Sequence, residues 1–331
     1  MTLASLPALL QAFFLDRLLR QRAASAHTIA AYRDAFRLLL PFATQRVGKT
    51  VSDLDVADLD APIVGDFLDH LEKERGNSAR TRNARLAAIH SFFRYVALRE
   101  PAYALICQRV LAIPSKRHER KEIEYLTRRE TEALIAVPDL SRWIGRRDRA
   151  LLLLAVQTGL RVSELIGLRC KDVVLGTGAN VHCMGKGRKE RRTPLRRDAV
   201  AVLEPWLRER AGQADDPLFP SVRGGALSRD AVERLVTKHV TTAGRTCPSL
   251  KRKRVTPHVL RHTAAMDLLQ HGVDRSVIAL WLGHESVETT QIYLHADLRM
   301  KEKALERTTS LGTKPGRYRP DDALLTFLES L

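Results

Sequence analysis

Apolar residues recur every three or four positions through the first 105 residues, the spacing of a helix with one buried face. The clearest stripe runs from Leu6 to Leu18, and the last one follows a cap at Asn77 or Ser78. Four segments share the pattern: 6–18, 27–43, 62–75 and 77–98. The pattern predicts an all-α N-terminal domain over residues 1–105.

The period of the pattern changes in the second half of the chain. Three short β-prone runs, DVVL, VHCM and RRTPL, are separated by the turn sequences GTGAN and GKGRKE. Helical patterns lie on both sides of these runs, at 126–138, 148–159, 158–169, 198–210, 228–242, 257–271 and 273–282. The fold class predicted is mainly α, with an α+β domain over residues 125–308 that holds a small antiparallel β-sheet.

Two segments fit neither domain. Residues 106–124 contain Pro114 and a dense run of charges from Lys116 to Lys121, typical of a linker or of a strap along a DNA backbone. Residues 309–331 form a tail that is rich in Gly, Pro and Lys and ends in the helix-like stretch DDALLTFLESL.

Charge narrows the class of partner. The 331 residues include 55 Lys and Arg against 38 Asp and Glu, a formal net charge of +17, and most of the surplus falls after residue 105. Such a surplus favours a polyanionic partner, nucleic acid first and an acidic membrane surface second. A generally basic protein without such a partner is the other interpretation.

Membrane and secreted classes are disfavoured. The strongest apolar run, LLLLAV at 151–156, is far shorter than the roughly 20 residues of a membrane span. The N-terminus has no basic region before its apolar part, unlike a signal peptide. Cys107, Cys170, Cys183 and Cys247 form no CxxC pair. We expect a cytoplasmic, nucleoid-associated protein that does not bind a membrane.

Two motifs place charged residues where they could handle a phosphate. In TGLRVSEL, Arg161 precedes Glu164 by one helical turn, so the carboxylate can orient the guanidinium, although an exposed and weak ion pair is the other interpretation. In MGKGRKERR, Lys186 is flanked by glycines and followed by Arg188 and Lys189. A solvated basic turn is equally consistent, and the frame of a P-loop is absent.

Two further motifs carry histidines. In TPHVLRH, Thr256 and the following proline suit the start of a helix. His258 and Arg261 would then share one face near its positive end, where an oxyanion fits. In LGHESVETTQIYLH, Tyr293 follows His284 by nine positions, and alone it would be interpreted as a half-buried core residue.

Together these residue types suit phosphoryl transfer through a covalent intermediate. Guanidiniums neutralise phosphate oxygens, imidazoles move protons, a lysine can protonate a leaving oxygen, and a tyrosine can be the nucleophile. In chain order the candidates are Arg161, Lys186, His258, Arg261, His284 and Tyr293.

The four motifs resemble, in order and spacing, the signature blocks of the tyrosine recombinases, the phage-integrase group that includes Xer-type recombinases. The resemblance covers about residues 125–300, which would be the tyrosine-recombinase catalytic domain. Residues 1–105 resemble the family's core-binding domain on a weaker pattern. The resemblance implies a site-specific DNA recombinase that needs no cofactor and no metal.

The resemblance also implies a role for each site residue. Arg161 and Arg261 would hold the scissile phosphate, with Glu164 supporting the first of them. His258 and His284 would assist proton transfer and hydrogen-bond the phosphate.

The two remaining site residues would make and break the bonds. Lys186 would be the general acid on the 5′-oxygen. Tyr293 would attack, forming a 3′-phosphotyrosine and a free 5′-hydroxyl.

The partners follow from the same resemblance. We expect double-stranded DNA, bound by a homotetramer that joins two sites, alone or with related recombinases. The stretch ALLTFLESL would pack against a neighbouring subunit or fold back on its own chain. The tail and the basic loop 241–255 favour a mobile-element recombinase. Nine residues are predicted to contact DNA: Arg80, Arg82, Arg85, Arg188, Lys189, Lys251, Arg252, Lys253 and Arg254.

Three other functions stay open at this point. A type IB topoisomerase shares this chemistry but relaxes DNA without paired sites. A DNA-binding accessory subunit would bind without cleaving. A metallohydrolase could use His258, His262 and His284, since the first two have the i,i+4 spacing of zinc ligands, but no glutamate lies between them as in HExxH.

Overall fold

Helices predominate in the computed structural model of this chain, which confirms the mainly α class. The residues that it describes are 4–117, 123–185, 190–283 and 290. Two compact units divide the chain, residues 1–120 and residues 121–331. Each unit encloses a hydrophobic core of its own.

The N-terminal unit consists of helices packed around aromatic and aliphatic side chains. Its helices are α1 (Leu6–Ala12), a π-helix (Phe13–Gln21), α2 (Ala26–Val47), α3 (Ala61–Lys73), α4 (Ala79–Arg99) and α5 (Ala104–Leu111). The four helical segments predicted from the sequence are all present. Ser78 caps α4, as its Oγ accepts a hydrogen bond from the Thr81 amide at 3.3 Å.

Helix α5 corrects the linker predicted over residues 106–124. Cys107 and Val110 are fully buried in the core of the N-terminal unit, and the Val110 carbonyl lies 3.0 Å from Nε2 of His90 on α4. The sequence prediction assigned these two apolar residues to a linker because a dense run of charges follows them. The start of the predicted linker is therefore part of the first unit, and residues 118–122 lie outside the described residues.

The C-terminal unit is built around one helix that is buried on most of its surface. Its helices are α6 (Arg128–Ala136), α7 (Trp143–Thr158), α8 (Val162–Gly167), α9 (Arg197–Arg210), α10 (Arg229–Ala243), α11 (Pro257–Gln270) and α12 (Arg275–Leu282). Every residue from Ala150 to Thr158 is buried, since α7 packs against α6, α9 and α11. The apolar run LLLLAV is thus a core helix.

The predicted three-stranded antiparallel sheet is confirmed. Its strands pair in the order β1 (Val173–Val174), β2 (Asn180–Met184) and β3 (Glu190–Pro194). Cys183 lies opposite Arg191, and Val181 lies opposite Thr193. Because opposed residues share a face, these four side chains point inward, whereas Arg192 is exposed on the other face.

Helices α11 and α12 form a hairpin that brings the end of α12 to the end of α7. A small cluster of buried side chains joins the two helices, with Met266 and Leu269 packed on Ile278 and Leu282. Among the described residues, no helix is both long enough and apolar enough to cross a membrane.

Candidate active site

Three of the six predicted catalytic residues belong to the described part of the C-terminal unit. They are Arg161, His258 and Arg261. Lys186, His284 and Tyr293 lie outside the described residues, as do Arg188, Lys189 and the tail from residue 309.

Arg161 follows a tight turn at the end of α7. Gly159 adopts a left-handed conformation (φ +64°), and a β-carbon there would lie 2.6 Å from Cδ2 of Leu282. Only glycine combines this backbone with this close approach. Arg161 then caps α8, and its amide donates to Oε2 of Glu164 at 2.7 Å. The turn therefore aims Arg161 across the end of α12.

The carboxylate of Glu164 is shared by two arginines. Arg161 Nη1 donates to Oε1 at 2.9 Å, while Arg191 donates from Nη2 to Oε2 at 2.7 Å and from Nη1 to Oε1 at 3.2 Å. Glu164 is only 7% exposed. The network carries one more positive than negative charge and is centred on a buried carboxylate, unlike the exposed ion pair that the motif alone allowed.

Burial by itself would raise the pKa of Glu164. The hydrogen bond from the Arg161 amide and the guanidiniums of Arg191 and Arg161 outweigh burial and hold the pKa below its ordinary value of 4.5. The carboxylate is therefore ionised at neutral pH.

We expect the stability of the C-terminal unit to depend on this ionisation. A carboxyl whose folded pKa lies below its unfolded value stabilises the folded protein above that value, and the contribution disappears as the pH falls through the folded pKa. Removing one side of a buried ion pair costs about 3–5 kcal/mol. Glu164→Gln should therefore lower the free energy of unfolding strongly near pH 7 and less near pH 3, below the ordinary pKa of 4.5.

Urea unfolding of wild type and Glu164→Gln at both pH values measures this difference. The control is Glu132→Gln, which removes an exposed carboxylate that pairs with Arg128 on α6 and should cost little. An equal loss of stability for Glu164→Gln at both pH values would contradict an ionised Glu164.

Among the candidate residues that the structure describes, Arg261 is the most deeply buried, at 2% exposure. Its Nη1 donates to the Gly159 carbonyl at 2.6 Å, and its Nη2 donates to the Leu282 carbonyl at 2.7 Å. Arg161 Nη2 donates to the next carbonyl, Gly283, at 3.0 Å. The two guanidiniums thus bind consecutive carbonyls of one turn, which brings Arg161 and Arg261 to the same end of α12.

His258 lies at the start of α11, as the motif predicts. Thr256 caps this helix, with Oγ1 accepting from the Val259 amide at 3.4 Å. Partial desolvation, and then the charges of Arg261 and Arg161, lower the pKa of His258 below its ordinary value. A neutral imidazole beside two guanidiniums can accept a proton.

The metal-site alternative gains no support from the described residues. The rings of His258 and His262 lie 4.4 Å apart, edge to face. Within the described ranges, no group of three His, Cys, Asp or Glu residues could hold a metal ion. The third histidine of that alternative, His284, is outside those ranges.

Arg191 is the site residue that sequence reasoning missed. The motif places it in a run of basic residues that would be interpreted as a solvated turn. One available signal was the alternation of β3, since inward residues of this strand face the buried Val181 and Cys183.

Lys253, in the predicted DNA-contacting loop, has partners within the C-terminal unit. Its Nζ donates to the Tyr125 carbonyl at 2.7 Å and to Oε2 of Glu130 at 2.6 Å, and Glu130 is buried. Lys253 therefore joins two segments of the C-terminal unit. Its neighbours Lys251, Arg252 and Arg254 are exposed.

Two of the three arginines at the start of α4 also have internal partners. Arg82 is 5% exposed, and its Nη1 donates to the Pro114 carbonyl at 2.9 Å. Arg85 Nη1 donates to the Ala31 carbonyl at 3.2 Å. Only Arg80 of the three is exposed, so the buried Arg82 stabilises the N-terminal unit.

Comparison with known proteins gives a consistent result. The chain matches the phage integrase family over residues 124–299 and the family described as phage integrase, N-terminal SAM-like domain, over residues 12–100. It is 57% identical over 328 residues to y4rC of Sinorhizobium fredii, a protein with an integrase/recombinase name. That match covers 99% of each chain. It is 34% identical over 293 residues to tyrosine recombinase XerC of Xanthomonas campestris pv. campestris, covering 88% of this chain and 86% of XerC.

A solved structure is similar as well. It is the XerH site-specific recombinase bound to a palindromic difH substrate in a post-cleavage complex. The TM-score is 0.70 at 26% identity, and the match covers 86% of this chain and 81% of that one.

Proposed function

Because this chain belongs to the phage integrase family of tyrosine recombinases, we propose that it cleaves and rejoins DNA at specific sites through a 3′-phosphotyrosine on Tyr293. The observation that carries the proposal is the pair of guanidiniums, Arg161 and Arg261, which bind consecutive carbonyls of one turn. Two fixed positive charges at adjacent positions suit the two non-bridging oxygens of one phosphodiester.

The proposed cleavage conserves the phosphodiester. The Tyr293 hydroxyl oxygen bonds to phosphorus, and the bond from phosphorus to the 5′-oxygen breaks. Lys186 gives a proton to that leaving oxygen, and His258 or His284 takes up the tyrosine proton. Attack by another 5′-hydroxyl reverses each step and frees the tyrosine. Rejoining therefore needs no external energy source.

The arginine pair contributes in the transition state. Negative charge grows on the phosphate oxygens as the fifth bond forms, and donors fixed in advance stabilise it without reorganising. Arg261 and Arg161 are fixed by backbone carbonyls and by Glu164, so folding places them before DNA binds. His258, whose pKa is lowered, is neutral in the same place.

We further propose a tetramer that joins two duplexes, acting for a mobile element. A relative that is similar over its whole length carries an integrase/recombinase name. The XerH complex contains a palindromic DNA substrate, and a palindrome offers equivalent half-sites to two copies of one protein.

The test uses nicked duplexes that carry the DNA flanking this gene. A nick a few nucleotides beyond the cut lets the short 5′-hydroxyl product diffuse away, so the covalent complex accumulates. With EDTA present, we expect a slow-moving band on a denaturing gel. A label at the 5′ end of the cut strand should move with the protein, and a label at its 3′ end should not.

Other outcomes point to the other functions. Relaxation of any supercoiled plasmid by a monomer would indicate a topoisomerase. Binding to the flanking DNA without a covalent band on any nicked duplex would indicate an accessory subunit. Activity lost only on adding a chelator would indicate a metallohydrolase.

A further inference from the structure

Arg191 lies on β3 and contacts two other segments of the candidate active site. Its side chain is 11% exposed and points inward from β3, where it reaches the carboxylate of Glu164 on α8. It also packs against the turn after α12, because a β-carbon at Gly283 would overlap its guanidinium. Finally, it follows Lys186 by five positions in the sequence.

The contacts are too specific for a side chain that only fills space. Arg191 bonds both oxygens of Glu164, whereas the Arg161 side chain bonds one of them. Bidentate pairing fixes the plane of a carboxylate as well as its position. Arg191 therefore determines which lone pairs of Glu164 face Arg161.

Arg191 also changes the charge that Arg161 can present. With Arg191 in place, one carboxylate is shared by two guanidiniums, and the cluster carries a net charge of about +1. Without it, Glu164 and Arg161 would form a neutral pair, in which the carboxylate competes with a phosphate for the Arg161 guanidinium.

We propose that Arg191 is a positioning residue for DNA cleavage, which acts on the scissile phosphate through Glu164 and Arg161. This inference rests on the proposed function. It adds to the six motif residues a seventh residue, which contacts Glu164 and Gly283 and is not itself required to touch DNA.

The alternating strand provides a matched control. Arg192 is the next residue on β3, but its side chain is exposed on the opposite face. Arg191→Met and Arg192→Met remove the same charge from adjacent positions. In single-turnover cleavage of the nicked duplex, we expect Arg191→Met to be slower than wild type by about 30-fold or more and Arg192→Met to be within about twofold.

A second substrate separates positioning from folding. A methylphosphonate at the scissile position is neutral, so it removes most of the charge that Arg161 would stabilise. If Arg191 acts through Arg161, the defect of Arg191→Met should shrink to about threefold on this substrate, as should the defect of Arg161→Met. A merely structural role would slow both substrates by the same factor.

Thermal unfolding and DNA binding show whether Arg191→Met folds. If it does not, Arg191→Lys replaces it in the same cleavage assay. An ammonium keeps the charge but does not match both carboxylate oxygens. We expect an intermediate defect that also shrinks on the methylphosphonate.

Three results would overturn the inference. In the first, the wild type forms its adduct and the Arg191 and Arg192 variants cleave DNA equally fast. That result would refute the role of Arg191 and leave the proposed function intact. In the second, the Arg191 defects are the same on both substrates. In the third, the wild type forms no adduct with any duplex that it binds, so the proposed function is lost as well.

Discussion

Replacing Tyr293 by phenylalanine should abolish the covalent protein–DNA band and leave DNA binding within about twofold. Phenylalanine keeps the ring but lacks the oxygen that bonds to phosphorus, and no other step can replace that bond. We expect cleavage to fall by at least about 10³-fold, since the arginines cannot act without a nucleophile. Gel-shift binding and denaturing-gel cleavage on the same nicked duplex measure the two effects separately.

The matched control is Tyr318→Phe, which removes the hydroxyl of the other tyrosine in the C-terminal 40 residues. It should cleave like wild type. If Tyr293→Phe still formed the adduct and Tyr318→Phe did not, the nucleophile would be Tyr318 and not Tyr293. If both variants formed it, tyrosine chemistry at this end of the chain would be excluded.

Replacing Arg261 by methionine should have the next largest effect, on both cleavage and stability. Loss of one fixed donor to a developing phosphate charge costs about 10²–10³-fold in rate. The same change leaves the Gly159 and Leu282 carbonyls without their Arg261 hydrogen bonds in a buried place, at about 1–3 kcal/mol for each group left unsatisfied. Single-turnover cleavage and urea unfolding measure the two consequences.

Two comparisons keep these effects apart. Arg275→Met removes an exposed arginine at the start of α12 and should change neither quantity. Arg261→Lys keeps a positive charge but loses the paired donors, so it should recover part of the stability and less of the rate. Normal cleavage by a stable Arg261→Met protein would remove this residue from the proposed mechanism.

The elements of the fold were predictable because their signals are local. Seven successive buried positions from Ala150 to Val156 need only an apolar run, and the start of α11 needs only Thr256 followed by proline. The alternation of VHCM and RRTPL is equally local. The order of the four motifs then restricted the function strongly, since few chemistries need that set of residue types together.

The partners of individual side chains were not predictable in this way. Lys253 and Glu130 are 123 positions apart, and Arg82 bonds a carbonyl 32 positions away. A basic run appears the same in a sequence whether its members face solvent or a buried carboxylate. This is why the internal partners of Lys253 and Arg82 were not predicted and why Arg191 was overlooked.

The turn after α12 has a consequence for how this region can vary between related proteins. Arg261 and Arg161 bind the carbonyl oxygens of Leu282 and Gly283, which are present whatever the side chains are. Position 282 should therefore accept any residue that packs as leucine does. Position 283 should accept almost none, because its φ of +65° and the adjacent Arg191 both exclude a β-carbon. Selection here acts on the path of the backbone, and side-chain chemistry is secondary.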